Sequence, residues 1–248
     1  MDSNFRNRIL ESAKKHHSRI VFALDIVNEK QLQKRAIDLI EKVTPYISAV
    51  KMNFHLLLPL SFDDISKINK FAHNKGLQTI ADIKLNDIGS TNEAATSILF
   101  DEGFDAIIAN PFVGYDGALD SVFTLAKKWN KGVILLTYMS HPAAKDGYGL
   151  MLKSKKRVFE EFVARAIAWK ADGVVVGATS PEKIVEVRKR LPKKILIFSP
   201  GVGAQGGDAK KSINAGSDFL IVGRTIIEAD DPKGTAKRIC RDSWLPVS

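Results

Sequence analysis

A short run of alternating charges, Asp82, Lys84 and Asp87, is the part of the sequence best suited to chemistry. Carboxylate and ammonium groups this close keep each other ionised and in position. A fixed ammonium can also stabilise a developing negative charge and supply a proton to it. A D-x-K-x-x-D pattern alone is more typical of a surface ion-pair cluster, but Asp25 and Lys51 end two other apolar runs in the same way. Together the five side chains predict a catalytic site.

A second signal comes from the glycine-rich stretch at residues 200–208 and from Gly223 and Arg224. Glycine lets backbone amides approach a ligand closely, and a guanidinium fork suits a phosphate dianion. Glycines alone often do no more than form tight turns. The combination of the stretch with an arginine after the next apolar run predicts a phosphate-bearing substrate.

The elements that must position these residues are eight short apolar, β-branched runs, separated by segments of helical periodicity. Near-continuous apolar runs are typical of parallel strands that are buried on both faces. Eight of them alternating with helices favour a closed barrel over an open sheet. The sequence thus predicts an α/β protein, a (β/α)8 TIM barrel that forms a single domain over residues 1–248. The runs lie at residues 20–24, 47–50, 78–81, 106–109, 133–136, 174–176, 195–198 and 219–222.

The carboxyl ends of the strands form the active-site face of such barrels, with phosphate bound after strands seven and eight. The charged residues and the glycine-rich stretch with Gly223 and Arg224 both follow predicted strands, so both are expected at this face. Asp82 and Lys84 are two residues apart on one strand, so their side chains are expected on the same face. Residues 140–154, rich in Gly, Lys and Ala, are predicted to be a long irregular loop, which in a compact domain is often a functional lid.

The net charge of +9 admits two interpretations, a nucleic-acid-binding surface or a field that draws an anionic metabolite towards a cleft. The basic residues are spread over many helices and are not interleaved with aromatic residues, as a base-stacking surface requires. We therefore expect no nucleic-acid partner.

The sequence also bears on location and cofactors. Because no run of about 18 apolar residues occurs and the first residues lack a signal-peptide pattern, we expect a cytoplasmic protein without membrane association. The single cysteine, Cys240, fits a reducing compartment. No His or Cys cluster, including His16-His17, has metal-ligand spacing, and no dinucleotide or P-loop pattern is present. We expect neither a metal nor a cofactor.

Several of these motifs, in this order over residues 20–228, resemble the orotidine 5′-phosphate decarboxylase family in its short microbial form. The resemblance implies decarboxylation of orotidine 5′-monophosphate to uridine 5′-monophosphate, the last step of de novo pyrimidine biosynthesis, by a homodimer with shared active sites and no cofactor. It rests on Leu24-Asp25, Val50-Lys51, the run from Asp82 to Ile88 with Thr91-Asn92, Met139-Ser140-His141-Pro142, the run from Pro200 to Gly207, and Val222-Gly223-Arg224.

The resemblance also implies catalytic roles. Lys84 would protonate C6 of the pyrimidine as carbon dioxide leaves, and Asp82 would sit against the departing carboxylate. Lys51 would hold Asp82 and Asp25. Asp87 would serve the site of the neighbouring subunit.

The implied binding roles are divided between the two ends of the nucleotide. Asp25 would bind a ribose hydroxyl, Ser140 would contact the pyrimidine ring, and Thr91 would come from the partner subunit. The phosphate would be held by a loop that closes over it and by the end of the last strand, through Pro200, Gly201, Val202, Gly203, Gln205, Gly223 and Arg224.

An alternative within the same superfamily is an enzyme acting on sugar phosphates, such as a keto-gulonate phosphate decarboxylase or a hexulose phosphate synthase. Those relatives share the D-x-K-x-x-D run but use magnesium, and they are expected to carry an acidic residue where this chain has Lys51. Two positions stay without an interpretation: Gly89, where microbial relatives often carry proline, and Asn53.

Overall fold

The apolar runs form parallel strands because each buries side chains on both faces, inside the barrel and beneath the helices. The computed structural model describes residues 4–27 and 29–244. Its strands pair in sequence order and β8 pairs with β1, which closes the predicted eight-stranded barrel. The strands are β1 (Ile20–Ala23), β2 (Ala49–Asn53), β3 (Gln78–Leu85), β4 (Ala106–Ala109), β5 (Gly132–Tyr138), β6 (Gly173–Val176), β7 (Leu196–Pro200) and β8 (Phe219–Val222).

The helices cover the outside of the barrel and one of its ends. Short helical turns lie at Thr44–Tyr46, Pro111–Val113 and Tyr115–Leu119. No helix in the described part of the chain is long and apolar enough to cross a membrane. The helices are α1 (Phe5–His16), α2 (Leu32–Val43), α3 (Phe54–Leu57), α4 (Phe62–Asn74), α5 (Gly89–Asp101), α6 (Asp120–Lys128), α7 (Ala144–Tyr148), α8 (Val158–Ala168), α9 (Pro181–Arg190), α10 (Ala209–Asn214), α11 (Arg224–Ile227) and α12 (Pro232–Ser243).

Helix α1 closes the amino-terminal end of the barrel. Its residues Phe5, Ile9 and Ala13 are fully buried and pack with the inward-facing side chains of the strands. A Cβ atom at Gly132 would overlap the ring of Phe5, so the glycine at the start of β5 makes room for the helix. With this end filled by α1, the carboxyl end of the strands is the end of the barrel that is open to a ligand.

Three aspartates form hydrogen bonds at the closed end. Asp105, Asp172 and Asp218 directly precede β4, β6 and β8, and each carboxylate accepts a hydrogen bond from an amide of the preceding strand. The donors are the amides of Thr79 at 2.9 Å, Val133 at 2.9 Å and Ile197 at 2.7 Å.

The environments of these aspartates differ. Burial raises the pKa of Asp172 to about 6. Burial acts in the same direction on Asp105, but His73 and Lys131 hold its pKa below the usual range. At the closed end, burial therefore disfavours the ionised form of Asp172, whereas the partners of Asp105 favour its ionised form.

The prediction of an irregular loop at residues 140–154 was wrong in part, because α7 forms within it. Tyr148 at the end of α7 packs against the rings of Tyr138 and Phe162, with centroids 5.7 and 6.1 Å away. Met151 forms a β-bridge with Arg157. Apolar packing of one aromatic side chain thus orders a segment whose composition suggested a loop.

Candidate active site

Strands β2 and β3 bring together a carboxylate and two ammonium groups. The Nζ atom of Lys51 lies 2.7 Å from one oxygen of Asp82, and the Nζ atom of Lys84 lies 2.8 Å from the other. Asp82 is 6% exposed and Lys51 is 3% exposed, whereas the side chain of Lys84 is 38% exposed. Burial alone would raise the pKa of Asp82, but the two lysines hold it below its ordinary value. The array therefore keeps Asp82 ionised and leaves the ammonium group of Lys84 as the more exposed of the two in the cavity.

The backbone at Lys84 departs from a regular strand. Its φ angle is +48°, in the left-handed region that non-glycine residues rarely adopt. The pairing of β3 with β4 shifts here, since Ala81 pairs with Ile107 but Leu85 pairs with Ala109. Four residue steps on β3 thus match two on β4. The expectation that Asp82 and Lys84 meet on one side is fulfilled by an irregular strand rather than by simple alternation.

Asn53 at the end of β2 is a site residue that the sequence left without a role. Its side-chain oxygen accepts a hydrogen bond from Nζ of Lys51, and its amide nitrogen donates to the carboxylate of Asp25. The resemblance implied that Lys51 holds both aspartates, but in the structure Asn53 provides the connection to Asp25. The signal was the i, i+2 spacing of Lys51 and Asn53, which places both side chains on one face of the strand.

Two glycines allow polar groups to converge on the cavity. A Cβ atom at Gly223 would overlap the carboxylate of Asp25, so the end of β8 must carry glycine for Asp25 to lie against it. A Cβ atom at Gly177, directly after β6, would lie 2.7 Å from the Cα atom of Ser140. Gly177 therefore lets the segment that carries Ser140 pack across the end of β6.

Residues 201–207, here called the β7 loop, connect β7 to α10. The amide of Gly203 donates to the carbonyl of Gly207 at 2.8 Å, and the amide of Gly207 donates to the carbonyl of Gly201 at 3.0 Å. Gly201 has a φ angle of +98°, which explains the glycine at the turn. A Cβ atom there would lie 2.8 Å from Oε1 of Gln205 and 3.0 Å from Cβ of Ser140. Gln205 and Ser140 are therefore neighbours at the mouth.

These groups line one cavity of about 830 Å³, including space open to solvent. Sequence reasoning missed Asn53 and Thr225, which also line it, and Gly203 belongs to the adjoining loop without lining the cavity. The predicted residues that the structure brings together there are Asp25, Lys51, Asp82, Lys84, Ser140, Pro200, Gly201, Val202, Gln205, Gly223 and Arg224.

Asp87 and Thr91 do not line this cavity, and both side chains are exposed. The backbone of Asp87 is fixed by Asn92, which is fully buried: the amide of Asp87 donates to Oδ1 of Asn92 at 3.2 Å, and Nδ2 of Asn92 donates to the carbonyl of Asp87 at 2.6 Å. At the start of α5, a Cβ atom on Gly89 would lie 3.1 Å from the carbonyl oxygen of Gly117. Glycine at that position thus permits a close backbone contact.

Within residues 4–27 and 29–244, no three His, Cys, Asp or Glu side chains come together in a way that could hold a metal ion. The cluster around Asp82 is instead rich in ammonium groups, which repel cations. Independence from metal stays a prediction that an assay must test.

The barrel, the Lys–Asp–Lys array and the glycine-rich loop at the carboxyl ends of the strands define a (β/α)8-barrel enzyme. The chain belongs to the Orotidine 5′-phosphate decarboxylase / HUMPS family, whose model matches residues 18–239. It is 36% identical over 220 residues to the orotidine 5′-phosphate decarboxylase of Pyrococcus abyssi, in an alignment that covers 89% of this chain and 96% of that protein.

Other members of the family are similar to this chain over nearly the same length. The orotidine 5′-phosphate decarboxylase of Methanosarcina mazei is 35% identical over 223 residues, which cover 90% of this chain and 94% of the relative. The crystal structure of orotidine 5′-monophosphate decarboxylase from Methanocaldococcus jannaschii, complexed with the inhibitor BMP, superposes with a TM-score of 0.78 at 32% identity and covers 91% of this chain and 98% of that one. The family resemblance and the barrel predicted from sequence are confirmed.

Proposed function

We propose that this protein decarboxylates orotidine 5′-monophosphate to uridine 5′-monophosphate, the last step of de novo pyrimidine biosynthesis, without a metal or organic cofactor. The observation that carries the proposal is the buried carboxylate of Asp82 held between the ammonium groups of Lys51 and Lys84. Membership of the family and the identity to orotidine 5′-phosphate decarboxylases support the same substrate.

Lys84 acts as the proton donor in this proposal. When the bond between C6 and the carboxylate breaks, carbon dioxide leaves and the electron pair stays on C6. The pyrimidine offers no conjugated sink for this pair, so a fixed cation next to C6 is needed to stabilise it. The ammonium group of Lys84 faces the cavity and transfers a proton to C6, forming the C6–H bond. The resulting amine regains a proton from water.

Asp82 and Lys51 set the electrostatics of that step. Asp82 lies against the departing carboxylate, and its ionised state orients the ammonium group of Lys84. Lys51, almost fully buried, supplies the second positive charge that keeps Asp82 ionised. A buried carboxylate without such partners would take up a proton and lose this function.

The remaining residues bind different parts of the nucleotide. Asp25, oriented by Asn53, binds a ribose hydroxyl, and Ser140 contacts the pyrimidine ring. A phosphate binds where backbone amides of the glycine-rich loop and a guanidinium group converge. In this chain that grip consists of the β7 loop with Pro200, Gly201, Val202, Gly203 and Gln205, and of Gly223 and Arg224.

Asp87 and Thr91 complete the site of a partner subunit in a homodimer. Both are exposed and lie outside the cavity of their own chain. Large exposed apolar side chains follow the neighbouring strands, including Ile88 after β3 at 63% exposure and Phe112 after β4 at 72%. Exposed apolar side chains after adjacent strands favour a protein interface at this edge of the barrel, and a two-fold axis there would exchange the two copies of Asp87.

The activity is tested with purified protein and orotidine 5′-monophosphate in the presence of EDTA. We expect the orotate absorbance band to disappear at the same rate with and without the chelator. Loss of activity in EDTA would instead favour the magnesium-dependent chemistry of the sugar-phosphate relatives. No turnover by a folded protein at neutral pH would overturn the proposal.

The shared site is tested by mixing two inactive variants, Lys84→Ala and Asp87→Ala, after dissociation and reassembly. If Asp87 serves the partner, a mixed dimer contains one site with both residues intact. Random mixing should then restore about a quarter of the wild-type activity, because half of the dimers are mixed and half of their sites are intact. No restoration would show that Asp87 acts within its own chain.

A further inference from the structure

The central part of the β7 loop extends over the mouth of the barrel, between the buried residues Val202 and Gly207. Residues 203–206 are exposed, and the hydrogen bonds from Gly203 to Gly207, from Gly206 to Gly203 and from Gly207 to Gly201 all lie within the loop itself. Such a loop needs an anchor elsewhere if its amides are to stay in place before a ligand binds.

Thr225 provides the anchor. Its hydroxyl oxygen accepts a hydrogen bond from the amide of Ala204 at 2.9 Å and donates one to the carbonyl of Val202 at 3.0 Å. One hydroxyl can do both because it carries one hydrogen and free lone pairs. Within the described part of the chain, these are the hydrogen bonds that join residues 202–206 to the rest of the barrel. A Cβ atom at Gly203 would lie 2.7 Å from Cγ2 of Thr225, so glycine leaves room for the contact.

We propose that Thr225 is a positioning residue that links the two halves of the phosphate grip. It directly follows Arg224 at the start of α11, so it fixes the β7 loop relative to the guanidinium-bearing end of β8. A loop held in its binding arrangement loses less conformational entropy when the phosphate arrives. The kinetic part of this inference rests on the proposed decarboxylase function, whereas the structural part does not.

The kinetic test compares Thr225→Val, which keeps the shape and removes the hydroxyl, with Thr225→Ser, which keeps the hydroxyl. Each is assayed with orotidine 5′-monophosphate and with orotidine, which lacks the phosphate. Loss of two neutral hydrogen bonds should lower the ratio of the two kcat/KM values by about tenfold in the valine variant, mainly through KM for the nucleotide. The serine variant should restore the ratio. Equal losses with both substrates, an unchanged ratio, or a serine variant as impaired as the valine variant would overturn the inference.

A second measurement does not depend on activity. Amide hydrogen exchange at Gly203 and Ala204 in the free protein should accelerate about tenfold in Thr225→Val and stay near wild type in Thr225→Ser. The matched control is Thr44→Val: Thr44 is also half-buried and donates to a backbone carbonyl, that of Ile40 at 2.7 Å, but it lies after α2. Unchanged exchange in the loop refutes the anchor even if the decarboxylase is active. A wild-type protein that does not turn over the nucleotide refutes the proposed function, while the exchange result still decides the role of Thr225.

Discussion

Replacing Asp172 by asparagine should stabilise the protein at alkaline pH and change its stability little in acid. The partly buried carboxylate has a pKa of about 6 in the folded state, above its ordinary value of 3.8. Between these values the folded protein holds a proton that the unfolded chain has released, so stability falls as the pH rises. The cost of ionisation is largely absent below pH 4 and fully present well above pH 6. Asparagine keeps an oxygen for the amide of Val133 and removes the charge.

The size of the expected stabilisation follows from the shift in the pKa of Asp172. The pKa of Asp172 rises from 3.8 to about 6 on folding, and each pKa unit corresponds to about 1.36 kcal/mol. Ionised Asp172 therefore lowers the free energy of unfolding by about 3 kcal/mol at pH 8. By the same linkage the cost falls to about 0.5 kcal/mol at pH 4. Denaturant unfolding of both proteins at several pH values and equal protein concentration measures the difference. A stabilisation that does not change with pH, or a destabilisation at pH 8, would refute the reasoning.

Asp105 provides the control, because it occupies the equivalent position before β4 and its pKa is shifted in the opposite direction. Its carboxylate lies 2.8 Å from Nε2 of His73 and 3.4 Å from Nζ of Lys131. Since these partners lower its pKa despite burial, the ionised form stabilises the folded state above pH 4, and this contribution disappears as the pH falls through the folded-state pKa. Asp105→Asn should therefore destabilise the protein at neutral pH and have less effect in acid, and a stabilisation at pH 8 would contradict the assignment.

Three substitutions at the candidate site have distinct expected signatures. Lys84→Ala should reduce turnover by at least about 10³-fold through loss of the proton donor, while binding of uridine 5′-monophosphate measured by calorimetry stays detectable; near-normal turnover would remove Lys84 from that role. Arg224→Ala should raise KM by roughly tenfold to a hundredfold through loss of charge-assisted hydrogen bonds, and an unchanged KM would count against the phosphate assignment. Asn53→Ala should lower kcat/KM by about tenfold because Asp25 loses the group that orients it; equal values for variant and wild type would show that the contact is dispensable.

The barrel could be predicted from the sequence because each strand is a short, nearly continuous apolar run, a pattern that parallel burial produces directly. The predicted carboxyl ends were short at β2, β3, β5 and β7, which continue through Asn53, Leu85, Tyr138 and Pro200. There the strands carry the polar residues of the mouth, so hydropathy no longer marks them as strand. Helix α7 was missed because its stability comes from the packing of Tyr148 on distant rings, not from its own composition.

The charged part of the candidate site was also predictable, since the positions of Asp25, Lys51 and Asp82 at strand ends follow from the barrel topology. The role of Asn53 was not, because an uncharged amide gives no electrostatic signal and its partners come from different strands. The left-handed backbone of Lys84 was equally hidden, as the shift of β3 against β4 arises only when the barrel closes. The proposed role of Asp87 and Thr91 in the site of a partner subunit came from the family resemblance, because no pattern in one chain indicates it.

The left-handed conformation of Lys84 has a consequence for how this chain can evolve. Glycine adopts φ near +48° without the cost of roughly 1 kcal/mol that a Cβ atom brings. A lysine here therefore carries a backbone cost, which its ion pair with the buried Asp82 at 2.8 Å offsets. Lys84→Gly and Lys84→Ala lose the same ion pair, so a higher melting temperature of the glycine variant would isolate the backbone contribution. Position 84 is thus a point where the backbone conformation favours glycine while the ion pair with Asp82 favours lysine, and a homologue that lacks the aspartate is free to carry glycine there.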